Sequence, residues 1–378
     1  MRIERAHVPE RLGTRGAAHF ERYVELMREV EADLWGNDDL TQDARTVLPR
    51  YRSEYVRRTP LLALDGDDAV GAAVVEWEAG DDAETAIVYG VVPTAHRREG
   101  IGSWLLAECE RIALDAGRRV LISWSDHPAA TLELGGPRLA ASVGDAVVPA
   151  ADPRAAFFTA HGYVLGQIER MSVLDLADVT VPEPESVPGY RLVTWVGHAP
   201  DELVDAYAAA KTRMALDVPA ADLTIDPEHW DAARVRTFEE QRRESGDVLL
   251  VAAAVADDGD VAGYTELELP HDKACAYQGD TLVVAAHRGH GLGLRVKQAN
   301  HRALAESAPE RTRIYTWNAD ENDHMLAINI ALGFRTAAYS AAWQRRVESG
   351  GGHEHADAVS APRADVAGSA GSGATSGS

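Results

Sequence analysis

Apolar and polar residues follow each other along this chain in an order that occurs twice. In residues 1–180 and again in residues 188–346, the pattern predicts a strand, two helices, two neighbouring strands, a third strand ending in a glycine-rich turn, a helix, and closing strand and helix segments. In the first repeat, the first strand is predicted at residues 2–8 and the second helix from about Thr41 to Val56. The segment 181–190 carries three prolines and no hydrophobic period, so we interpret it as a linker. Residues 347–378 are small, polar and aperiodic, which predicts a disordered tail.

The third strand of each repeat leads into the same basic, glycine-rich turn. The two segments are AIVYGVVPTAHRREGIG, which ends at Gly102, and TLVVAAHRGHGLG, which ends at Gly293. In each, an arginine is followed three and five residues later by glycines. A helix with one apolar face is predicted after each turn, on the spacing of Ile101, Leu105, Cys109, Ile112 and Ala116 in the first repeat and of Leu292, Val296, Ala299 and Ala303 in the second.

Such a turn is suited to binding an anion. Glycines let the backbone come close to a ligand, and the N–H groups at a helix N-terminus can converge on phosphate oxygens. A plain tight turn is the alternative for either copy, although two copies in matching contexts disfavour it. A dinucleotide fingerprint would need a third glycine where Leu105 and Val296 stand, and no GK(S/T) sequence follows either turn.

The pattern (Arg or Gln)xxGx(Gly or Ala) between a strand and a helix resembles the pyrophosphate loop of the GNAT superfamily, the acyl-CoA-dependent N-acyltransferases. The tandem arrangement is similar in overall architecture to that of mycothiol synthases. The resemblance implies an α/β fold of two tandem GNAT-like domains, each a central twisted mixed sheet flanked by helices, with acetyl-CoA as co-substrate and no metal. It implies cofactor binding by Val91, Val92, Arg97, Arg98, Gly100, Ile101 and Gly102 in the first half, and by Val283, Val284, Arg288, Gly289, His290, Gly291, Leu292, Gly293 and Asn322 in the second.

Acyl transfer to an alkyl amine needs a base, because an amine with a pKa of about 10.4 is largely protonated at neutral pH. In enzymes that this chain resembles, a carboxylate on the strand before the turn-bearing strand commonly serves. The matching segments, VVEWE and YTELE, supply Glu76 with Glu78 and Glu266 with Glu268 as candidate catalytic residues, and each pair shares one strand face. The alternative for each glutamate is a solvated sheet face or an ion pair with arginine.

Neither repeat has the tyrosine that the resemblance implies as a general acid. The family often supplies a tyrosine five residues before the aromatic residue of its final GF or GY step, and those positions hold Phe158 and Asn329, which cannot donate a proton. His324 is one other source, and departure of CoA as a thiolate is another. Asn322 has no clear counterpart in the first half, which favours the second half as the active one.

The first repeat also carries an insertion. Its turn arginine and final glycine are 65 residues apart, against 45 in the second repeat, and the additional residues fall near Ala129–Ala150. We interpret this insertion as surface decoration or a lid.

Composition limits the function classes. The formal net charge of -23 argues against a nucleic-acid partner and is compatible with a cationic acceptor. Two cysteines are too few for a disulfide framework, and the absence of a long apolar run or a signal-peptide pattern predicts a cytoplasmic protein without a membrane partner.

The predicted function is transfer of an acetyl group from acetyl-CoA to a primary amine of a small molecule or peptide by direct attack on the thioester. The alternative is a non-catalytic acyl-CoA-binding sensor or structural role for one or both halves.

Overall fold

A computed structural model of the protein describes residues 1–80, 82–217 and 220–348. Nearly all of the predicted disordered tail lies outside the described residues. The first half contains β1 (Arg2–Arg5), α1 (Ala18–Trp35), α2 (Ala44–Tyr51), β2 (Val56–Asp65), β3 (Asp68–Glu78), β4 (Thr85–Val91), α3 (Ile101–Asp115), β5 (Val120–Pro128), α4 (Ala129–Leu132), β6 (Arg138–Ala140), β7 (Val147–Pro149), α5 (Pro153–Ala160) and β8 (Val164–Asp175).

The second half repeats this order without the insertion. It contains β9 (Tyr190–Val196), α6 (Val204–Asp217), α7 (Ala232–Ser245), β10 (Val248–Ala256), β11 (Val261–Leu269), β12 (Cys275–Val283), α8 (Leu292–Ser307), β13 (Arg313–Ala319), α9 (Asp323–Ala331) and β14 (Arg335–Arg346). The predicted mixed α/β fold, with two repeats each built around a mixed sheet flanked by helices, is confirmed.

The two halves share one sheet of twelve strands, in the order β1-β2-β3-β4-β5-β14-β8-β13-β12-β11-β10-β9. The last strand of each half is exchanged: β14 pairs with β5 of the first half, and β8 pairs with β13 of the second. β8 and β14 also pair with each other, at the centre of the sheet. Because each half needs a strand from the other to continue its sheet, the domain boundaries 1–180 and 188–346 stay a prediction.

Helices cover both faces of the sheet. On one face, α3 packs on alternate residues of β2 and β3, including Leu61 and Val75. On the other face, α1 and α2 pack on the residues between them, including Leu62 and Val74. The second half is built in the same way, with α8 on one face and α6 and α7 on the other. Successive side chains of a strand point to opposite faces, so α3 and α8, which follow the glycine-rich turns, lie on one face of the sheet within each half and the remaining two helices named here lie on the other.

Several local expectations are corrected. The predicted first strand, residues 2–8, ends at Arg5, and the second helix spans Ala44–Tyr51 rather than about Thr41–Val56, since Val56 already begins β2. The insertion near Ala129–Ala150 forms a short helix and a two-stranded hairpin, and Val148 in it belongs to the core of the first half.

Both cysteines are free and buried, as expected. Within the described part of the chain, no helix is long and apolar enough to cross a membrane.

Candidate functional site

The two glycine-rich turns have the geometry of anion-binding loops. Each turn leads through a glycine in the left-handed region, Gly100 with φ 85° and Gly291 with φ 68°, into the first residue of a helix. These glycines stand at the N-cap positions and have no side chain to cap the helix, so the first-turn N–H groups of α3 and α8 are left for an outside acceptor. Both turns therefore keep the backbone geometry in which first-turn N–H groups could bind an anion.

The turn arginines brace these loops in the same way. Arg97 donates from Nε to the carbonyl of Val92 at 3.0 Å, and Arg288 donates from Nε to the carbonyl of Val283 at 3.2 Å. The loops differ one residue later, where Arg98 takes φ 69° and its counterpart is a glycine with φ 86°. A residue with a side chain is destabilised by roughly 1–2 kcal/mol in this left-handed region. The first loop therefore contains a strained residue at a position where the second loop has a glycine.

The strand before each turn separates from its parallel neighbour. β4 and β5 pair only through residues 85–87 and 120–122, and β12 and β13 pair only through residues 275–277 and 313–315. Beyond these pairs the strands diverge, and each divergence opens a wedge-shaped gap towards the glycine-rich turn. A gap of this kind, where it is not filled by side chains, could admit a linear pantetheine arm.

The gap of the first half is almost closed. Its cavity measures only about 60 Å³ and is lined by Leu106 from α3, Ser123 from β5, and Phe157 and Phe158 from α5. The ring of Phe157 would lie 3.4 Å from a Cβ added at Gly102, directly behind the turn. The first loop therefore remains, but aromatic side chains occupy the space behind it.

The gap of the second half opens into a large cavity of about 700 Å³ between the two halves. From this half, the cavity is bordered by Gln278, Asp280, Lys297, Asn318 and Asn322. From the first half, Glu76, Ile87 and Trp124 line the opposite wall. An acyl group held between β12 and β13 would thus meet a space wide enough for a second substrate.

Asp280 is a carboxylate at this gap that the sequence analysis missed. Glu266 on β11 faces two residues of β12, Gly279 and Asp280, because a bulge interrupts the ladder there, whereas β3 and β4 pair without interruption from residue 72 to residue 76. Bulges redirect side chains next to functional sites. The Asp280 side chain is 35% exposed, whereas that of Glu266 is 6% exposed. An aspartate within the strand that carries the turn was the available sequence signal.

A buried lysine holds both carboxylates. Lys211 Nζ donates to Glu266 Oε1 at 2.6 Å and to Asp280 Oδ2 at 2.9 Å. Trp230, the nearest of four aromatic rings around this ammonium, has its centroid 4.6 Å from Nζ. Burial alone would lower the pKa of Lys211, but the two carboxylates outweigh it and raise that pKa, so the lysine stays protonated.

The pKa values of Glu266 and Asp280 are shifted in opposite directions. Burial raises the pKa of Glu266, and the nearby Asp280 charge raises it further, against the effect of Lys211. For Asp280, burial acts in the same direction, but Lys211 and a hydrogen bond from the Tyr264 hydroxyl at 3.0 Å outweigh it and lower the pKa. Asp280 is thus an ionised carboxylate at the large cavity.

The other predicted glutamates lie in ion pairs, which was the alternative for each of them. Glu78 accepts two hydrogen bonds from Arg234 of the second half, both at 3.1 Å, and Glu268 pairs with Arg50 of the first half and with Arg242 Nε at 3.0 Å. The Arg50 and Arg234 pairs join α2 and α7 to strands of the opposite half, whereas Arg242 lies in the same half as Glu268. Their location favours a role in holding the halves together.

Glu76 has a different environment. It pairs with Arg58 at 2.5 Å and borders both the large cavity and a second one of about 370 Å³ beneath α1 and α2. Glu31 and Tyr89 also line this second cavity, and burial raises the pKa of Glu31 to about 7. The face of the first half that would receive an acceptor is therefore open, although its cofactor gap is closed.

Three further residues named from the sequence have defined surroundings. Asn322 caps α9, accepting from the Met325 N–H at 3.2 Å, and borders the large cavity. His290 is exposed and packs beside Tyr190, with ring centroids 5.5 Å apart. His324, the alternative acid, is exposed as well. Among the described residues, no group of three or more His, Cys, Asp or Glu side chains could hold a metal ion.

Comparisons with known proteins agree with this architecture. The model of the acetyltransferase (GNAT) family matches residues 24–131 and 216–334. A tandem GNAT protein from the clavulanic acid biosynthesis pathway is 26% identical, with a TM-score of 0.70 over 93% of this chain and 100% of that one. A GCN5-related N-acetyltransferase from Sphaerobacter thermophilus shares the fold at 16% identity, with a TM-score of 0.57 over 86% of this chain and 92% of its own. The search of curated proteins gives no match.

Proposed function

The chain belongs to the acetyltransferase (GNAT) family, and we propose that it transfers an acetyl group from acetyl-CoA to a primary amine at the gap of its second half. The family generally uses acyl-CoA, so acyl transfer is the shared chemistry. The observation that carries the choice of half is the opening of the β12–β13 gap into the cavity of about 700 Å³, against about 60 Å³ at the β4–β5 gap.

The residues of the second half fit acetyl-CoA. The first-turn N–H groups of α8 and the guanidinium of Arg288 would hold the pyrophosphate, and the diverging edges of β12 and β13 would hold the pantetheine arm. The acceptor would lie in the large cavity, where the carboxylate of Asp280 would attract its ammonium group. That group loses one proton to water to become the attacking amine, and Asp280 passes the second proton to water as the amide forms. Holding the amine and the thioester in line supplies much of the acceleration, roughly 7–11 kcal/mol in favourable cases.

A small molecule or a peptide end remains the proposed acceptor. The net charge of -23 supports a cationic acceptor and opposes a nucleic acid. For the first half we propose a structural role, the alternative of a non-catalytic half, because the side chains of Phe157 and Phe158 fill its cofactor gap.

A titration calorimeter with acetyl-CoA tests the choice of half. The wild-type chain is expected to bind one acetyl-CoA. Arg288→Glu should weaken binding by about 10- to 100-fold, since it places a negative charge beside the pyrophosphate, and the matched Arg97→Glu should leave binding unchanged. The reverse result would assign the site to the first half, and no binding by a folded wild-type chain would overturn the proposal.

Release of CoA thiol in the presence of a panel of primary amines tests the reaction. Turnover with at least one amine is expected. Binding of acetyl-CoA without thiol release from any amine would instead favour a sensor.

A further inference from the structure

Lys297 is a buried side chain beside the cofactor gap of the second half. The reaction described above gives it no role. It stands nine residues after the turn arginine, on the second turn of α8, and its side chain is fully buried while bordering the large cavity. Its Nζ donates to Asn329 Oδ1 at 2.9 Å, and Asn329 Nδ2 donates to Asn318 Oδ1 at 2.6 Å. In the described part of the chain, the Asn329 amide is its only hydrogen-bond partner, so two of its three N–H groups have no protein acceptor.

The surroundings of Lys297 favour a group that gives up its proton readily. The carboxylates on the strands under α8, Glu266 and Asp280, are bound to Lys211, and no carboxylate forms an ion pair with Lys297 among the described residues. His301, one turn further along α8, has its pKa lowered to about 3 by burial and by Lys297, so it is neutral. Burial lowers the pKa of Lys297 itself to about 7. A donor is most effective when its pKa lies near the working pH.

The first half has no such group. The position nine residues after its turn arginine holds Leu106, and the position equivalent to Asn329 holds Phe158. Both side chains line the closed gap of about 60 Å³. The polar pair Lys297 and Asn329 therefore accompanies the open gap, and an apolar pair accompanies the closed one.

We propose that the Lys297 ammonium donates a proton to the sulfur of CoA as the thioester breaks. The inference rests on the proposed function. The amine nitrogen forms a bond to the carbonyl carbon, the carbon–sulfur bond breaks, and its electron pair goes to sulfur. Lys297 Nζ gives its proton to that sulfur, which yields CoA thiol and a neutral lysine, and the proton lost by the amine leaves through Asp280 and water. Asn329 orients the ammonium through its 2.9 Å hydrogen bond.

Three variants test the assignment by thiol release. Lys297→Met has a similar length and no charge, so kcat should fall by about 100- to 1,000-fold while the KM for acetyl-CoA changes little. Lys297→Arg should remain impaired, since a guanidinium keeps its proton. Leu106→Met at the matched position of the first half should behave as wild type. Thermal melting checks that each variant is folded.

Binding of CoA and of desulfo-CoA gives a readout that does not need turnover. Calorimetry should show that the wild-type chain prefers CoA by about tenfold through contact of the ammonium with sulfur, and that Lys297→Met loses this preference. The role of Lys297 would be overturned if Lys297→Met released thiol with the same kcat as wild type, or if both proteins preferred CoA over desulfo-CoA equally. Either result would leave the proposed function standing. A wild-type chain that releases no thiol would overturn both. If Lys297→Met does not fold, Asn329→Leu with the same two ligands takes its place, and an unchanged preference there would count against the network.

Discussion

The cofactor gaps of the two halves differ far more than the loops in front of them. Both loops carry a turn arginine that donates to a strand carbonyl, and both lead into an uncapped helix. Behind the first loop, however, Phe157 and Phe158 leave about 60 Å³, and behind the second the gap opens into about 700 Å³. The loop path that the two halves share therefore indicates where a pyrophosphate could bind, but the side chains and strands behind it decide whether an acyl group reaches an acceptor.

The faces that would receive the acceptor show the opposite difference. In the first half a cavity of about 370 Å³ lies beneath α1 and α2. In the second half the equivalent space is filled by Lys211 and its aromatic neighbours, which hold Glu266 and Asp280. One half thus offers an open cofactor gap and the other an open acceptor face, and the large cavity connects them.

The largest effect is expected at Asp280. Asp280→Asn removes the carboxylate at the open gap, so the rate of thiol release should fall by about 100- to 10,000-fold with acetyl-CoA binding retained. Tyr89 stands at the matched position, eight residues before the turn arginine of the first half, and Tyr89→Phe should keep wild-type kinetics. Equal losses in the two variants would contradict an active site confined to the second half.

A large loss of stability is expected at the ion pairs that cross between the halves. Glu268→Gln leaves Arg50 and Arg242 without their shared carboxylate, in a site where the Glu268 side chain is 16% exposed, and should lower the free energy of unfolding by about 3 kcal/mol. Glu78→Gln should cost less, because Arg234 retains Glu228 at 3.3 Å. Denaturant unfolding measures both, and a larger loss at Glu78 would reverse this ranking.

The sequence predicted the features that depend on local pattern. The alternation in VVEWE and YTELE identified β3 and β11, and the spacing of glycines identified both turns. Strand exchange was not predictable, because β8 and β14 have patterns that suit either neighbour. The predicted apolar face of α8 was only partly right: Ala299 and Ala303 are half-buried, whereas Lys297, Asn300 and His301 are buried. Lys297 borders the open gap, and Asn300 donates to strand carbonyls of Leu250 and Thr265, so these burials depend on tertiary contacts.

The candidate base was missed for a related reason. Asp280 faces the cavity because of a bulge opposite Glu266, and the position of a bulge depends on the pairing of two strands rather than on either alone. The glutamates at 78 and 268 were recognised as carboxylates on strand faces. Their arginine partners Arg234 and Arg50, however, lie in the opposite half of the chain.

Removing the aromatic residues tests whether they alone close the first gap. Replacing both Phe157 and Phe158 with alanine should allow a second acetyl-CoA to bind, weaker than the first by about tenfold because Leu106 still stands where the second half has Lys297. Ile328→Ala, at the position matched to Phe157, should leave one site. Calorimetric stoichiometry decides the outcome. One site in the folded double variant would mean that the first gap is closed by more than these rings.

The smallest effect concerns the pH dependence of the contact between the halves. Burial would raise the pKa of Glu268, but Arg242 and Arg50 outweigh it and lower that pKa below its ordinary value of 4.5. A carboxylate with a lowered pKa stabilises the fold above its ordinary pKa and loses this contribution as the pH falls through the folded-state pKa. The difference in melting temperature between wild type and Glu268→Gln should therefore be full at neutral pH. It should shrink as the pH falls below the ordinary pKa of 4.5 and through the lowered pKa of the folded state, because a protonated carboxyl resembles the amide. A difference that stays constant on acidification would show that the amide disturbs packing and that the charge of Glu268 is not what joins the two halves.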